Sequence, residues 1–142
     1  MSCATCSNNI DFRQFISSNT SCICVDGYFE NGTSACPSCD STCLTCLSSA
    51  TFCTSCDTAN KSRILNSTSH TCICVDGYFE NGTSACPSCD STCLTCLSSA
   101  TFCTSCDTAN KSRILNSTSH TCICVDGYFE NGTSACPSCD ST

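Results

Sequence analysis

With 142 residues, the chain has room for one ordinary domain or a few small modules. Twenty-two cysteines, no tryptophan and a thin scatter of Phe, Leu and Ile exclude a conventional apolar core, so covalent or metal staples must replace it. A net charge of −7, with five basic residues and no basic cluster, excludes nucleic acid and anionic membrane as partners, and no apolar stretch approaches a membrane span.

Taken in order, residues 1–21 form a partial, divergent repeat. Met1-Ser2-Cys3 enters cysteine chemistry at once, without an apolar signal segment, so a secreted reading places the signal outside this chain. Residues 22–71 and 72–121 are full repeat units, and 122–142 is a partial one. The stretch 22–92 is identical to 72–142, a period of 50 residues with eight cysteines, at 22, 24, 36, 39, 43, 46, 53 and 56. The first copy joins the same register without a gap. Cys3 and Cys6 align with Cys53 and Cys56, while Ile10, Phe12, Phe15 and Ile16 replace a more polar stretch and predict different packing there. Both ends fall in mid-module, which reads as a window on a longer array.

Within one period, Val25 to Glu30 is β-prone and Asn31-Gly32 is a two-residue hairpin signal. Gly27 permits a turn beside Tyr28 and Phe29, and a Cys24–Cys36 bond would close the hairpin. The span Cys36 to Cys46 holds four cysteines in eleven residues, with Pro37 and Asp40-Ser41-Thr42 as turn formers. It reads as a knot of turns, too short for helix or sheet. Leu47 to Phe52 is a short loop, and Asp57 to Thr71 a longer polar loop with one apolar pair, Ile64-Leu65.

Sequons recur in each period. Asn31, Asn81 and Asn131 are the best candidates for N-glycosylation because a hairpin tip is exposed. Asn66 and Asn116 come next, with Asn19 in the first copy; Asn60 and Asn110, with serine in third place, are the weakest. Sequons and cysteines together point to the secretory route and an extracellular or cell-surface location.

Cys36, Cys39, Cys43 and Cys46 also have a zinc or iron–sulfur spacing. Against metal stand the even count of eight per period, the sequons, and His70 and His120, which complete no familiar ligand pattern. No cofactor is expected. Asp26, Glu30, Asp40 and Asp57 read as solvated surface charges, and Asp26, Glu30 and Asn31 match no EF-hand loop. No nucleophile–base pair, H-E-x-x-H or phosphate loop occurs, so the chain reads as non-enzymatic.

The spacing Cys36-x2-Cys39-x3-Cys43-x2-Cys46-x6-Cys53-x2-Cys56, followed by Cys72 and by Cys74-x2-Gly77-Tyr78-Phe79, resembles the furin-like repeats of growth-factor-receptor cysteine-rich domains. Arrays of such repeats occur in surface proteins of ciliates and other protists. The Cys-x-Cys-x2-Gly-Tyr element is also similar to the end of an EGF-like module. Cys72-Ile73-Cys74 is the departure, since receptor repeats usually place more residues between these cysteines.

Eight cysteines alone allow roughly a hundred pairings. By position, the resemblance implies Cys6–Cys22, Cys24–Cys36, Cys39–Cys46, Cys43–Cys53 and Cys56–Cys72. It likewise implies Cys74–Cys86, Cys89–Cys96, Cys93–Cys103, Cys106–Cys122 and Cys124–Cys136. Cys3 and Cys139 are then left to partners outside the chain. In the chain-entropy description the Cys56–Cys72 ring contributes roughly 3 kcal/mol. The fold expected is a small, disulfide-rich, elongated tandem-repeat rod of short β-hairpins and turns with almost no helix. The function expected is structural: a repeat segment of an extracellular glycoprotein in a coat, stalk or fibre. Its partners would be neighbouring repeats, further copies through self-assembly, and N-linked glycans. The alternative is a cysteine-rich receptor or adhesion ectodomain that binds a protein ligand.

Overall fold

The computed structural model describes residues 11–16 and 21–140. Two compact units divide the chain at 73/74. Both are built from four-residue strands paired as antiparallel hairpins.

In the first unit β1 (Arg13–Ile16) pairs with β2 (Ser21–Cys24), with Gln14 opposite Ile23 and Phe15 opposite Cys22. Next, β3 (Cys43–Cys46) pairs with β4 (Cys53–Cys56), setting Cys43 opposite Cys56 and Cys46 opposite Cys53, with register shifts on either side of Thr45. A single helical turn, α1 (Thr58–Lys61), leads into β5 (Arg63–Asn66), which pairs with β6 (Thr71–Cys74). The second unit repeats the pattern. There β7 (Cys93–Cys96) pairs with β8 (Cys103–Cys106), and α2 (Thr108–Lys111) precedes the hairpin of β9 (Arg113–Asn116) and β10 (Thr121–Cys124).

The core is sulfur. Cys43, Cys46, Cys53 and Cys72 form one buried cluster with Phe29 packed on it, and Cys93, Cys96, Cys103 and Cys122 form another with Phe79 and Leu115. Larger apolar residues stay outside: Leu44, Leu47, Ile64 and Ile73 are exposed, as are Leu94, Leu97, Ile114 and Ile123. Strands this short cannot hold together through backbone pairing alone, because an isolated two-stranded hairpin is marginal in water. The bridges between them supply the difference.

Three local expectations are corrected. Val25 to Glu30 is not a strand. Only Tyr28 bridges, to Ser38, with Phe29 N donating to Pro37 O and Cys39 N to Gly27 O. Gly27 enables this at φ +85°. Asn31-Gly32 is accordingly no hairpin turn but a bend, in which Asn31 Oδ1 accepts from Thr33 N and Thr33 Oγ1. The β-prone residues lose their ladder because the segment facing them, 37–39, is fixed by cysteines rather than free to run alongside.

Second, the knot of turns is strand in its last third, Cys43–Cys46. Asp40 makes the turn before it, accepting from Thr42 N and Oγ1, and the partner strand lies ten residues on.

Third, the polar loop 57–71 carries a helical turn and most of a hairpin. Asp57 caps the turn by accepting from Asn60 N, and Ser62 ends it in the left-handed region at φ 53°. Asn66 Oδ1 then accepts from Thr68 N and Ser69 N to build the hairpin tip. These are side-chain-to-backbone bonds of short polar residues, so a polar stretch acquires order without apolar periodicity. In the divergent copy Phe12 takes the left-handed position of Ser62 and Ser112, and its ring stacks on Tyr28 at 4.1 Å.

Candidate functional site

Nine disulfides have both cysteines among the described residues: Cys24–Cys36, Cys39–Cys46, Cys43–Cys53, Cys56–Cys72, Cys74–Cys86, Cys89–Cys96, Cys93–Cys103, Cys106–Cys122 and Cys124–Cys136. Their Cα separations run from 5.2 to 5.8 Å, inside the usual range. Of the expected Cys6–Cys22 pair, Cys22 is a half-cystine in β2, while Cys6, like Cys3, lies outside the described residues. Cys139 is exposed and free. Cys36, Cys39, Cys43 and Cys46, the sequence's zinc-like group, are spent in three different bridges, and a sulfur in a disulfide is not a thiolate ligand.

The hairpins bring together one set of residues that sequence reasoning passed over. Arg113 opens β9 and is only 2 % exposed. Its guanidinium spends five hydrogen bonds on one loop and one strand. Nε donates to Ser134 O at 2.7 Å, Nη2 to Thr133 O at 2.9 Å and Nη1 to Cys122 O at 2.9 Å. The remaining two meet Glu130 as a fork, Nη1 to Oε1 at 2.7 Å and Nη2 to Oε2 at 2.8 Å.

Arg13 repeats this in the divergent copy, reaching Ser34 O, Thr33 O, Cys22 O and both oxygens of Glu30. Each arginine therefore pins the loop enclosed by one disulfide, Cys24–Cys36 or Cys124–Cys136, against the preceding hairpin. The hydrogen bonds from arginine, its largest influence, hold Glu30 and Glu130 below the ordinary carboxylate range and raise both arginines. A signal for this was present in the chain. Across the divergent stretch 7–21, only Arg13 and Ser17 match their counterparts fifty residues on.

The acidic residues are thus not all solvated charges. Glu30 and Glu130 are clamp partners. Asp40 and Asp90 are held low first by the hydroxyls of Thr42 and Thr92. Asp57 and Asp107 are held low first by the backbone N–H of Asn60 and Asn110. Of the three groups considered for calcium, Glu30 is engaged by Arg13 and Asn31 Oδ1 by Thr33. Lys61 Nζ donates to Ser41 O at 2.7 Å, tying α1 to the turn before β3.

His70 stacks on Phe52 at 3.9 Å, and its carbonyl accepts from Cys53 N, so its place is at the tip of the hairpin against β4. His120 repeats the stack on Phe102.

The sequons differ in what their amides do. Asn31, Asn81 and Asn131 are exposed and use only Oδ1 locally, in each case accepting from the threonine two residues on. Asn66 and Asn116 are half-buried and use Oδ1 to shape a turn. Asn60 and Asn110 are exposed, but Nδ2 donates to both carboxylate oxygens of Asp57 or Asp107 at 3.1 Å. Asn19 lies outside the described residues.

No family model, curated protein or solved structure matches the chain. What its own architecture establishes is a cysteine-rich tandem repeat of disulfide-paired hairpins. Among the described residues no helix is long and apolar enough to cross a membrane.

Proposed function

We propose that the chain is a structural repeat segment of an extracellular glycoprotein, non-enzymatic, belonging to a coat, stalk or fibre. The observation that carries the reading is the sulfur core. Among the described residues nearly every buried side chain is a half-cystine, so the repeat is stable only where thiols oxidise. Letter-for-letter repetition of 22–92 at 72–142 adds that the same module recurs every fifty residues along the chain, as in a lattice or spacer protein. The finer kinship proposed is with furin-like repeats, EGF-like modules being the nearest alternative. The partners proposed are neighbouring repeats, further copies of the chain, and N-glycans at Asn31, Asn81 and Asn131 first.

A second reading, a receptor or adhesion ectodomain, is favoured by Ile114 and Ile123. They oppose each other across β9–β10 and are 45 % and 41 % exposed, where the divergent copy sets Gln14 against Ile23. Electron micrographs of the native material separate filaments or coats from isolated ectodomains.

Expression of the full chain through a eukaryotic secretory pathway tests the main reading. The expected product has its paired cysteines oxidised and loses mass on N-glycosidase treatment, with Asn31, Asn81 and Asn131 most fully occupied. Occupancy at Asn60 and Asn110 should rise in Asp57→Ala and Asp107→Ala, which free the amide. Reduced, folded protein of unmodified mass would overturn the reading.

A further inference from the structure

In each sulfur core the buried disulfide Cys43–Cys53 or Cys93–Cys103 lies against the partly buried Cys56–Cys72 or Cys106–Cys122. Cys43, Cys53 and Cys72 place their three sulfurs within 4.8 Å of each other, and Cys93, Cys103 and Cys122 do the same in the second unit. Cys43 is bonded to Cys53, and Cys72 to Cys56. Hence the sulfur of one bridge already sits beside both sulfurs of the other.

Strand register adds a second fact. Cys43 and Cys56 are direct cross-strand partners, as are Cys93 and Cys106. Opposed residues of an antiparallel pair have Cα atoms roughly 4.5–5.5 Å apart, a separation that a disulfide can span. Cys53 N donates to His70 O at 2.8 Å, which brings the start of β4 against the segment leading to Cys72. For the alternative pairing Cys43–Cys56 and Cys53–Cys72, the sulfurs of Cys53 and Cys72 are therefore already side by side, and Cys43 and Cys56 are opposed in the backbone.

Access is uneven. Cys43, Cys53 and Cys72 are 6 %, 1 % and 5 % exposed, whereas Cys56 is only partly buried. An external thiolate entering this group therefore meets Cys56 first.

We propose that each repeat is a thiol-triggered disulfide switch that interconverts the pairing Cys43–Cys53/Cys56–Cys72 with the pairing Cys43–Cys56/Cys53–Cys72. The trigger is a low-molecular-weight monothiol. Its thiolate attacks Cys56 Sγ, forming a mixed disulfide and expelling Cys72 as thiolate. Cys72 attacks Cys53 Sγ, forming Cys53–Cys72 and expelling Cys43 as thiolate. Cys43 attacks Cys56 Sγ, forming Cys43–Cys56 and returning the monothiol as thiolate. No net electrons move and the thiol is a catalyst.

The other direction of attack, Cys72 on Cys43, would leave Cys53 to close on Cys56. Those two lie three residues apart on one strand, about 10 Å at strand rise, too far for a disulfide. Of these two directions, attack on Cys53 is thus the one that leaves the last two sulfurs, Cys43 and Cys56, on opposed strand positions. The conversion exchanges which sulfur of β4 anchors β6, shifting that attachment along β4 from Cys56 to Cys53. Cys39–Cys46 keeps its bond in this conversion, although Cys46 also faces Cys53 across the hairpin.

The full chain carrying Cys56→Ser and Cys106→Ser isolates the internal step, because it leaves one thiol per core without any added reagent. After incubation at pH 8, acid unfolding and alkylation, the label is expected on Cys43 and Cys93 as well as on Cys72 and Cys122. At equal stability of the two forms the ratio would be near one. Cys139 is labelled in either case; within the two cores, label confined to Cys72 and Cys122 would overturn the proposal.

If that variant fails to fold, the unmodified chain with catalytic glutathione gives an independent answer. Fragmentation of the quenched protein should find Cys43–Cys56 with Cys53–Cys72 while Cys39–Cys46 and Cys24–Cys36 remain. Persistence of the original pairs alone, or rearrangement that draws in Cys39 and Cys46 equally, would refute it.

Discussion

Replacing Arg113 by lysine keeps the charge and most of the length while removing the planar fork. The guanidinium meets five acceptors, of which Cys122 O belongs to a buried residue, Ser134 O is half-buried, and Thr133 O and Glu130 reach solvent. One ammonium can reach at most three of these and cannot fork onto the carboxylate. Water replaces what is lost at Glu130 and Thr133. The cost therefore falls on the two shielded carbonyls, at about 1–1.5 kcal/mol each, or about 2–3 kcal/mol together.

That energy holds the loop within Cys124–Cys136 against the hairpin, so the bridge should become easier to reduce. At a tenfold change per 1.4 kcal/mol, reduction through local opening accelerates roughly 30- to 140-fold. Dilute dithiothreitol followed by timed alkylation reads this at Cys124 and Cys136 themselves, located by fragmentation of the tryptic peptide 114–142, which also holds Cys122 and the free Cys139 and is unique because it ends at Thr142. Cys93–Cys103, buried elsewhere in the same unit, is the internal reference. Arg13→Lys should accelerate Cys24–Cys36 less, since Arg13 is more exposed and its bond to Cys22 O is longer at 3.2 Å. A reduction rate for Cys124–Cys136 within twofold of the unmodified chain would refute the clamp as the element that holds this loop.

Two further outcomes concern acid and backbone. Glu30, Glu130, Asp40, Asp90, Asp57 and Asp107 all titrate below their ordinary range in the folded chain. Their contribution is therefore fully present above about pH 5, and is lost as pH falls through and below the usual carboxylate values near 4. Denaturant midpoints should be flat from pH 7 to 5 and fall below 4, and a midpoint that rises on acidification would contradict the carboxylate assignments. Gly77→Ala should cost about 1–2 kcal/mol from its positive φ alone, because an added Cβ would meet only Leu94 O at 3.9 Å, an ordinary contact. A loss beyond about 4 kcal/mol in chemical denaturation would mean that packing rather than φ governs the position.

Much of the fold was legible because cysteine position is one-dimensional information. The period, the register of the divergent first copy, the near absence of helix and the reliance on sulfur instead of apolar volume all follow from where cysteines fall. The exposed Asn31-Gly32 bend was also legible, though not as a hairpin. Turn chemistry specifies a local bend, but whether flanking segments form a ladder depends on what lies opposite. Opposite Val25 to Glu30 lies Pro37 to Cys39, long enough for one bridge at Tyr28 and Ser38.

What only the tertiary structure decided is who meets whom. Arg113 touches residues 9 to 21 positions away, and in the sequence it is one basic residue in a polar stretch. Its burial becomes favourable only when a loop supplies two carbonyls, a hairpin a third, and Glu130 the counter-charge. The same holds for the three crowded sulfurs of each core. Spacing along the chain distinguishes eight cysteines, but the proximity of Cys72 to a bridge it does not belong to arises when two hairpins are packed together. The sequence by itself thus determined the staples and the bends, which are properties of neighbours in the chain. The tertiary structure determined the clamp and the shared sulfur core, because a buried charge or a crowded disulfide is set by distances in space that no local pattern encodes.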